Sequence, residues 1–377
     1  MPAPSPNRGT FVLGALALAS AALLFLILGP LRRAQAGPER VPIEAPKPMD
    51  ARIGVLEAFE RFPLVALSEA HGMKEEAEFI NSLIRHPDFP GKVDAVVLEA
   101  GNAIHQDLID AYVSGGPVTM EALRSVWRDH TNAALGPRDS SNVEEFFATV
   151  REVNQELPEE QRIRVLAGDP PIDWTAVKTR EDVAPWLGQR ETHYAGVVDS
   201  EVMAKGLKAL LIMGGAHFAR GPLPDGDPSK GLMLQILESK HPGKTFVVVP
   251  HEGFEEHNEV WEPRLASWPR PSLALVAGTW LALPRGSGQE DVLIEPGAAG
   301  RQPGLEADAL LYLGFRNELT MEQVSPDLYR DEAYLQELDR RSRICRGRPL
   351  ERSELGKPRP AKWAEMFPEG DIFIRKQ

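Results

Sequence analysis

The chain has 377 residues, of which 42% are hydrophobic and 26% charged, and its formal net charge is −13. This composition is typical of a globular protein that can bury a large core, and the acidity argues against nucleic acid as a partner. Because Cys345 is the single cysteine, intrachain disulfides and cysteine-based zinc sites are excluded.

An uncharged apolar run extends from Phe11 to Leu28 and is followed by Arg32 and Arg33. Such a run is typical of a signal peptide or of a retained membrane anchor. We therefore predict that residues 1–36 are a signal peptide or a transmembrane helix, and that the rest is extracytoplasmic, either secreted or anchored to the membrane. The alternative is an anchored protein that faces the cytoplasm, which the two arginines favour. Residues 37–50 are rich in proline and predict a linker.

The globular part begins with a helix and then a strand, a polar turn and a second helix. Leu64–Leu67 is an apolar run that predicts a buried strand. Glu69 and His71 lie in the turn, and apolar residues at positions 73, 77, 80 and 84 recur at helical spacing. This pattern predicts that Glu76 and its charged neighbours face away from the core.

Five further apolar runs predict strands, and most of them end in side chains that can take part in chemistry. The runs and the residues that follow them are Val93–Leu98 with Glu99, Arg164–Ala167 with Asp169, Ala209–Met213 with His217, Thr245–Val249 with His251, and Ala309–Gly314.

Continuous apolar runs separated by helical patterns indicate parallel strands that are buried on both faces. We predict an α/β fold with a largely parallel (mixed) central β-sheet flanked by helices on both faces, over residues 51–344. Within it, residues 254–306 hold three tryptophans among Pro- and Gly-rich segments. They predict an insertion at one edge of the sheet, either a lid on the pocket or a surface excursion. Residues 345–377 predict an irregular tail.

The carboxyl ends of parallel strands lie on one edge of the sheet, where ligands bind. One acidic residue after a strand could cap a helix, but grouping like charges without a task costs stability. We therefore predict a functional site at this edge. The residues that would meet there are Glu69, His71, Glu99, Asp169 and His217, with His251 as a further candidate.

Two ways of activating a water molecule suit these residues, since the sequence has no Gly-x-Ser-x-Gly elbow and no phosphate-binding glycine loop. In the first, His71 is a general base that Glu69 or Glu99 orients. His217 or Asp169 then positions the water or the leaving group. In the second, His71, His217 and Glu69 bind a divalent Zn, Mn or Co ion that activates the water. The spacing of the residues does not separate the two.

Four segments, in this order, resemble the erythromycin esterase, ChaN and Tiki superfamily (EreA/ChaN-like). They are SEAHG, VVLEAGN with LIDAYVSGG, FFATVREVNQ leading to VLAGDPP, and IMGGAHFARG, over roughly residues 63–222. The resemblance implies a mixed α/β sheet with an active cleft. It implies that Glu69, His71, Glu99 and His217 form this cleft, and Asp169 matches the family pattern less closely.

The members of this superfamily differ in activity. In erythromycin-esterase-like members the first histidine is the base for attack of water on an ester, Tiki-like members are metal-dependent peptidases, and ChaN-like members are associated with haem. Here Ser68 stands where a glycine is usual. The spacing of Glu69 and His71 resembles the ChaN-like turn, whereas the segments YVSGG and VREVN resemble the esterases. Macrolide hydrolysis and haem binding therefore do not follow from the resemblance.

We predict an exported or membrane-tethered hydrolase that acts on an ester, lactone or amide, with or without a metal. Its expected partners are a small-molecule or peptide substrate and, through the N-terminal segment, a membrane. One alternative is a haem- or metal-binding protein that uses the same cleft without catalysis. A second is a catalytically inactive scaffold whose cleft recognises a partner.

Overall fold

The computed structural model describes residues 43–132, 141–252, 261–282, 307–324, 330–351 and 359–366. The predicted signal peptide or anchor, residues 1–36, lies outside these ranges, as does much of the predicted insertion. Within the described ranges, no helix is long and apolar enough to cross a membrane.

Eight strands, counted over the described residues, form one sheet. They are β1 (Met49–Asp50), β2 (Leu64–Glu69), β3 (Ala95–Asn102), β4 (Arg164–Asp169), β5 (Ala209–Gly214), β6 (Thr245–Pro250), β7 (Ser272–Leu275) and β8 (Ala309–Tyr312). Their order in the sheet is β1-β7-β8-β6-β2-β5-β3-β4. The strands from β8 to β4 in this order are parallel, and β7 and β1 are antiparallel additions at one edge. The sheet is therefore mixed and largely parallel, as predicted.

Helices connect the strands and cover the sheet. They are α1 (Ala51–Ala58), α2 (Lys74–Ile84), α3 (Gln106–Val113), α4 (Met120–Leu123), α5 (Ser125–Arg128), α6 (Ser141–Gln155), α7 (Arg180–Gly188), α8 (Arg190–Glu201), α9 (Met233–Lys240), α10 (Glu332–Arg346) and α11 (Trp363–Met366).

The central strands are buried on both faces because successive side chains point to opposite sides of the sheet. Val65 and Leu67 belong to a core that includes residues of α1, α2 and α6. Leu64 and Ala66 belong to a second core that includes residues of α8 and α9. Each such buried aliphatic side chain contributes about 1.5–3 kcal/mol of hydrophobic stabilisation. Helices therefore flank both faces, in agreement with the sequence prediction.

The strand order brings four strand ends together. From β2 the chain passes outward to β3 and β4, returns through β5 between β2 and β3, and then continues to β6 on the opposite side of β2. In open α/β sheets, ligands bind where the direction of winding reverses. The carboxyl ends of β2, β5, β3 and β4 lie side by side at this point.

Two regions differ from the sequence prediction. Strand β7 lies inside the predicted insertion 254–306 and pairs with β8 as part of the main sheet. Its four residues are too few to show a periodic pattern. The predicted irregular tail contains α11, whose Trp363 packs with Ala70 and Met73 beside the turn after β2.

Candidate functional site

The turn after β2 presents a histidine between two carboxylates. His71 Nδ1 lies 3.3 Å from Glu69 Oε2, and His71 Nε2 lies 3.7 Å from Glu99 Oε2. The backbone can turn sharply here because Gly72, with φ of 90°, adopts a conformation that is unfavourable for other residues. The His71 side chain is 44% exposed, so it is accessible to a ligand.

Close approach of β5 to His71 depends on a glycine. A Cβ atom on Gly214 would lie 2.9 Å from His71 Nε2 and 3.3 Å from Glu99 Oε2. The missing side chain at this position therefore makes room for the histidine and the glutamate.

Glu99 is the centre of the site, and its side chain is only 4% exposed. It lies in β3 between Leu98 and Asn102, where the register with β4 shifts. Such an irregularity can re-aim a side chain. The Gly214 backbone N–H donates to Glu99 Oε2 at 2.7 Å. The buried carboxylate is thus held by a backbone donor on one side.

Two basic groups lie at the other oxygen of Glu99. Arg190 Nη2 is 3.0 Å from Glu99 Oε1, and His217 Nε2 is 3.6 Å from it. Positive charge beside a buried carboxylate favours its ionised form. We conclude that Glu99 links the His71 turn to Arg190 and His217.

His217 is paired on both ring nitrogens. Its Nδ1 lies 2.8 Å from Glu191 Oε1, at the start of α8. Burial alone would lower the pKa of His217, but hydrogen bonds with Glu191 and Glu99 outweigh burial and raise its pKa to about 9. The imidazole therefore carries a positive charge at neutral pH, so it acts as a donor and a cation and not as a general base.

Asp169 is a buried carboxylate that supports the site through several hydrogen bonds. Its carboxylate accepts hydrogen bonds from the Thr131 backbone at 2.6 Å, the Thr131 hydroxyl at 2.8 Å and the Tyr194 hydroxyl at 3.2 Å. It also lies 3.4 Å from Arg190 Nε. Burial raises the pKa of Asp169, and the Thr131 donors oppose that shift. Asp169 thus holds the arginine that contacts Glu99.

His251 lies in a different environment from the other predicted residues. Its Nε2 is 3.5 Å from Glu262 Oε1, and its ring packs against Trp261 and Tyr312. The side chain is almost fully buried. The structure places His251 in an aromatic cluster with Trp261 and with Tyr312 of β8.

Three of the predicted residues could hold a metal ion together. One ligand atom from each of Glu69, His71 and Glu99 lies within 4.8 Å of the others. Three N and O ligands at about 2 Å from a zinc ion, with an open position for water, fit such spacing. The predicted set contained His217 in place of Glu99. His217 instead lies behind Glu99, with Glu191 at its second nitrogen.

Sequence analysis missed three groups of the site. Arg190, Glu191 and Tyr194 lie on α8, whereas the helical pattern in the sequence extends from about residue 192 to 205 and indicates no site residue. No strand end precedes them, and charged residues at a helix start are ordinarily solvated.

The burial of Glu76 differs from the sequence prediction. The side chain was expected to face away, but it is buried, and its Oε2 accepts a hydrogen bond from the Ala70 backbone at 2.7 Å. Position 76 lies one turn from Met73 and from Ile80, which are both buried. The carboxylate therefore closes the turn that carries His71.

A cavity opens beside the cluster, between the ends of β2 and β3 and the helices α2, α5 and α6. Its empty volume is about 740 Å³, counted with the open solvent at its mouth. Glu69 and Glu99 line it together with Glu76 and Glu322. A molecule in this cavity would therefore contact the proposed reactive groups.

No family model matches the chain, and no curated protein matches it at a significant level. Several solved structures are similar to it at low identity, and three of them follow. A Bacillus cereus protein is 11% identical over 71% of this chain and 94% of its own, with a TM-score of 0.44. A mutant erythromycin esterase, EreC, in its open conformation is 12% identical over 69% of this chain and 91% of its own, with a TM-score of 0.41.

The third is ChaN of Campylobacter jejuni, which binds haem cofacially. It is 14% identical over 55% of this chain and 93% of its own, with a TM-score of 0.33. EreC and ChaN bear the names of two of the families that the motifs of residues 63–222 resemble.

Proposed function

We propose that this protein is a hydrolase that activates water at the Glu69–His71–Glu99 cluster and cleaves an ester, lactone or amide. The observation that carries the proposal is the convergence of these three side chains within 4.8 Å at the carboxyl edge of the sheet. They lie at the wall of a cavity that could hold a substrate.

In the metal-free form of the mechanism, Glu69 accepts a hydrogen bond from the Nδ1–H of His71 and so fixes its tautomer. Nε2 is then the basic nitrogen that removes a proton from water as the water oxygen attacks the carbonyl carbon. The bond from that carbon to the leaving oxygen or nitrogen then breaks, and the imidazolium returns the proton to the leaving atom. Glu99 lies 3.7 Å from that nitrogen and stabilises the imidazolium that forms. Arg190 and His217 lower the cost of negative charge that develops nearby.

A divalent cation fits the same residues because they offer one nitrogen and two carboxylate oxygens. When bound, such an ion would supply a water of lowered pKa. Glu69, His71 and Glu99 would hold it, and Arg190 and His217 would orient Glu99. This ligand set also supports a second candidate function, metal binding without catalysis.

The test compares His71→Ala with His251→Ala, the histidine of the aromatic cluster. Each protein is assayed with a panel of nitrophenyl esters, lactones and peptides, before and after treatment with a chelator. We expect His71→Ala to lose at least about 100-fold in kcat/KM and His251→Ala to keep the wild-type rate per folded molecule. Equal rates for His71→Ala and wild type would exclude the proposed mechanism.

Elemental analysis and an absorption spectrum of the same samples separate the alternatives. Near-stoichiometric zinc, manganese or cobalt that His71→Ala loses, without hydrolysis of any panel member, would favour the metal-binding function. A Soret band would instead indicate haem.

We also propose that the catalytic part is exported or membrane-tethered, on the basis of the apolar run Phe11–Leu28. Protease added to intact cells should then degrade the protein without prior lysis. Protection equal to that of a cytoplasmic marker would contradict this proposal.

A further inference from the structure

The cavity beside the cluster has a largely apolar wall. Trp127, Phe146 and Phe147 line it from the helices, and the aliphatic residues Ile80, Leu98 and Val126 complete it. All but Leu98 are buried. A wall of this composition binds hydrocarbon and excludes water.

The same cavity is lined by four carboxyl groups, of Glu69, Glu76, Glu99 and Glu322. None of the described residues that line it is a lysine or an arginine. Glu99 is balanced by Arg190 and His217, and Glu69 by His71. Glu76 and Glu322 remain as the acidic residues that a ligand could neutralise, although Arg359 lies near Glu322 without lining the cavity.

Polar atoms without a hydrogen-bond partner also concentrate here. Among the described residues, Glu76 Oε1, Asn81 Oδ1, Glu322 Oε1 and Asn142 Nδ2 are buried and unpaired, and all four residues line this cavity. Glu76 is 1% exposed and Glu322 is 7% exposed. Three of the four atoms are oxygens that can accept a hydrogen bond, and Asn142 Nδ2 is the one donor among them.

Burial opposes the ionisation of both carboxyl groups. Burial raises the pKa of Glu76 well above its usual value, and the charge of Glu69 adds to this. Burial likewise raises the pKa of Glu322 to about 7, against the opposing effect of Arg359. A cation placed between them would favour the charged form of both.

We propose that this cavity binds a hydrophobic ammonium ion, with its N–H donors on Glu76 and Glu322 and its hydrocarbon part on the wall of Trp127, Phe146 and Phe147. An anion is disfavoured by four carboxyl groups, and a neutral alcohol offers one donor to three unpaired acceptors. The inference rests on the proposed function only in naming the bound molecule as a substrate, because binding itself does not require hydrolysis.

The test measures binding of octylammonium, octanol and octanoate to the full chain at pH 7 by calorimetry. The wild-type chain is used, because none of the three ligands contains an ester, lactone or amide bond that the proposed hydrolase would cleave. We expect octylammonium to bind at least about tenfold more tightly than the other two. Glu76→Gln and Glu322→Gln should each weaken the binding of octylammonium by about tenfold and leave the binding of octanol unchanged.

Glu78→Gln is the matched control, since Glu78 lies on the same helix with its side chain exposed beside Lys74. It should bind octylammonium as tightly as the wild type does. Circular dichroism checks that each variant is folded. If Glu76→Gln does not fold, the binding of octylammonium to Glu322→Gln alone tests the inference. Equal binding of octylammonium and octanol, or full binding after Glu322→Gln, would overturn the inference.

The outcomes for the two proposals are distinct. Tight octylammonium binding together with inactivity of the wild type on the whole panel would support the cavity ligand and contradict the hydrolase. Hydrolysis of neutral esters, without any preference for ammonium ligands, would support the hydrolase and overturn the cavity ligand.

Discussion

Two strands of the sheet end in a histidine paired with a glutamate, and the surroundings of the two pairs differ. His71, after β2, lies between Glu69 and Glu99, with its side chain 44% exposed. His251, after β6, lies 3.5 Å from Glu262, with its side chain 3% exposed. The chemical groups are the same, so what distinguishes a candidate site is access and a third polar partner.

The neighbouring strands produce this difference. Beside β2 lies β5, where Gly214 leaves space for His71 and its backbone holds Glu99. Beside β6 lies β8, whose Tyr312 packs on His251. Glu262 is further held by the Arg316 backbone N–H at 2.6 Å. The first pair is open to a ligand, and the second is part of the packing.

The largest effect that separates the two regions should come from Glu99→Gln. This change removes the charge that links His71, Arg190 and His217 while it keeps the volume of the side chain. We expect kcat/KM to fall by about 1,000-fold, equivalent to about 4 kcal/mol of transition-state stabilisation. The measurement is steady-state kinetics on whichever ester or lactone the wild type hydrolyses.

Glu262→Gln is the control in the second region, because it changes the same group beside the other histidine. Its kcat/KM should stay within about threefold of wild type, a difference below about 0.7 kcal/mol. A loss that matches the loss in Glu99→Gln would mean that the buried pair is also part of the active site.

The second prediction concerns stability. Here the large effect is expected in the aromatic cluster around His251, and activity should not change. Trp268 packs on Tyr312 and Trp280 in the aromatic cluster. Trp268→Ala should lower the free energy of unfolding by about 3–5 kcal/mol, with kcat/KM unchanged where the protein is folded. Leu275→Ala, at the exposed last residue of β7, should cost less than about 1 kcal/mol. Denaturant unfolding measures both, and equal losses would contradict the assignment of the cluster as core.

The sequence predicts the six parallel strands because each is a continuous apolar run with turn residues after it. It also predicts the edge at which the reactive residues lie. It does not predict strand order, and strand order decides that Glu69, His71 and Glu99 converge while His251 does not. The strands β1 and β7 have two and four residues, too few for a periodicity.

The side chains that sequence analysis missed depend on contacts far along the chain. Glu76 is a charged residue in an amphipathic helix, yet Met321 pairs with Met73 and covers the turn beside it. Arg190 and Glu191 reach Glu99 and His217 because α8 begins at the strand edge. From the sequence alone, charged residues at these positions suggest exposure to solvent. Only the tertiary packing brings them into the site.

A third prediction concerns the pH dependence of stability. The pKa of Glu322 is raised to about 7 by burial, so the unfolded chain loses the proton before the folded one does. Ionisation therefore destabilises the folded state as pH rises from about 4.5 to about 7. Glu322→Gln removes this penalty and should gain up to about 3 kcal/mol relative to wild type above pH 7.

Below pH 4.5 the difference between Glu322→Gln and wild type should vanish, which urea unfolding at a series of pH values would measure. Glu318→Gln, at a partly exposed residue paired with Arg270, is the control and should show no such gain. A difference that does not vary with pH would contradict the raised pKa.

The smallest effect tests the support behind Glu99. Glu191 accepts from protonated His217 and from the Met233 backbone N–H at 2.9 Å. Glu191→Gln should lower the free energy of unfolding by about 2 kcal/mol at pH 6, the value of a hydrogen bond to a charged group. Because the pKa of His217 is raised to about 9, the stabilisation is complete below about pH 6.5 and disappears as pH rises through 9. The loss in the variant should therefore shrink by pH 10.

Urea unfolding in a chelator at pH 6 and pH 10 measures this loss. Glu181→Gln, at an exposed position in the first turn of α7, is the control, with a change within about 0.5 kcal/mol at both values. A loss equal at pH 6 and pH 10 would mean that Glu191 acts through Met233 and not through the charge of His217. A loss confined to low pH would instead identify the charge of His217 as the source of the stabilisation, and His217 would then be established, beside Arg190, as a cation that supports Glu99.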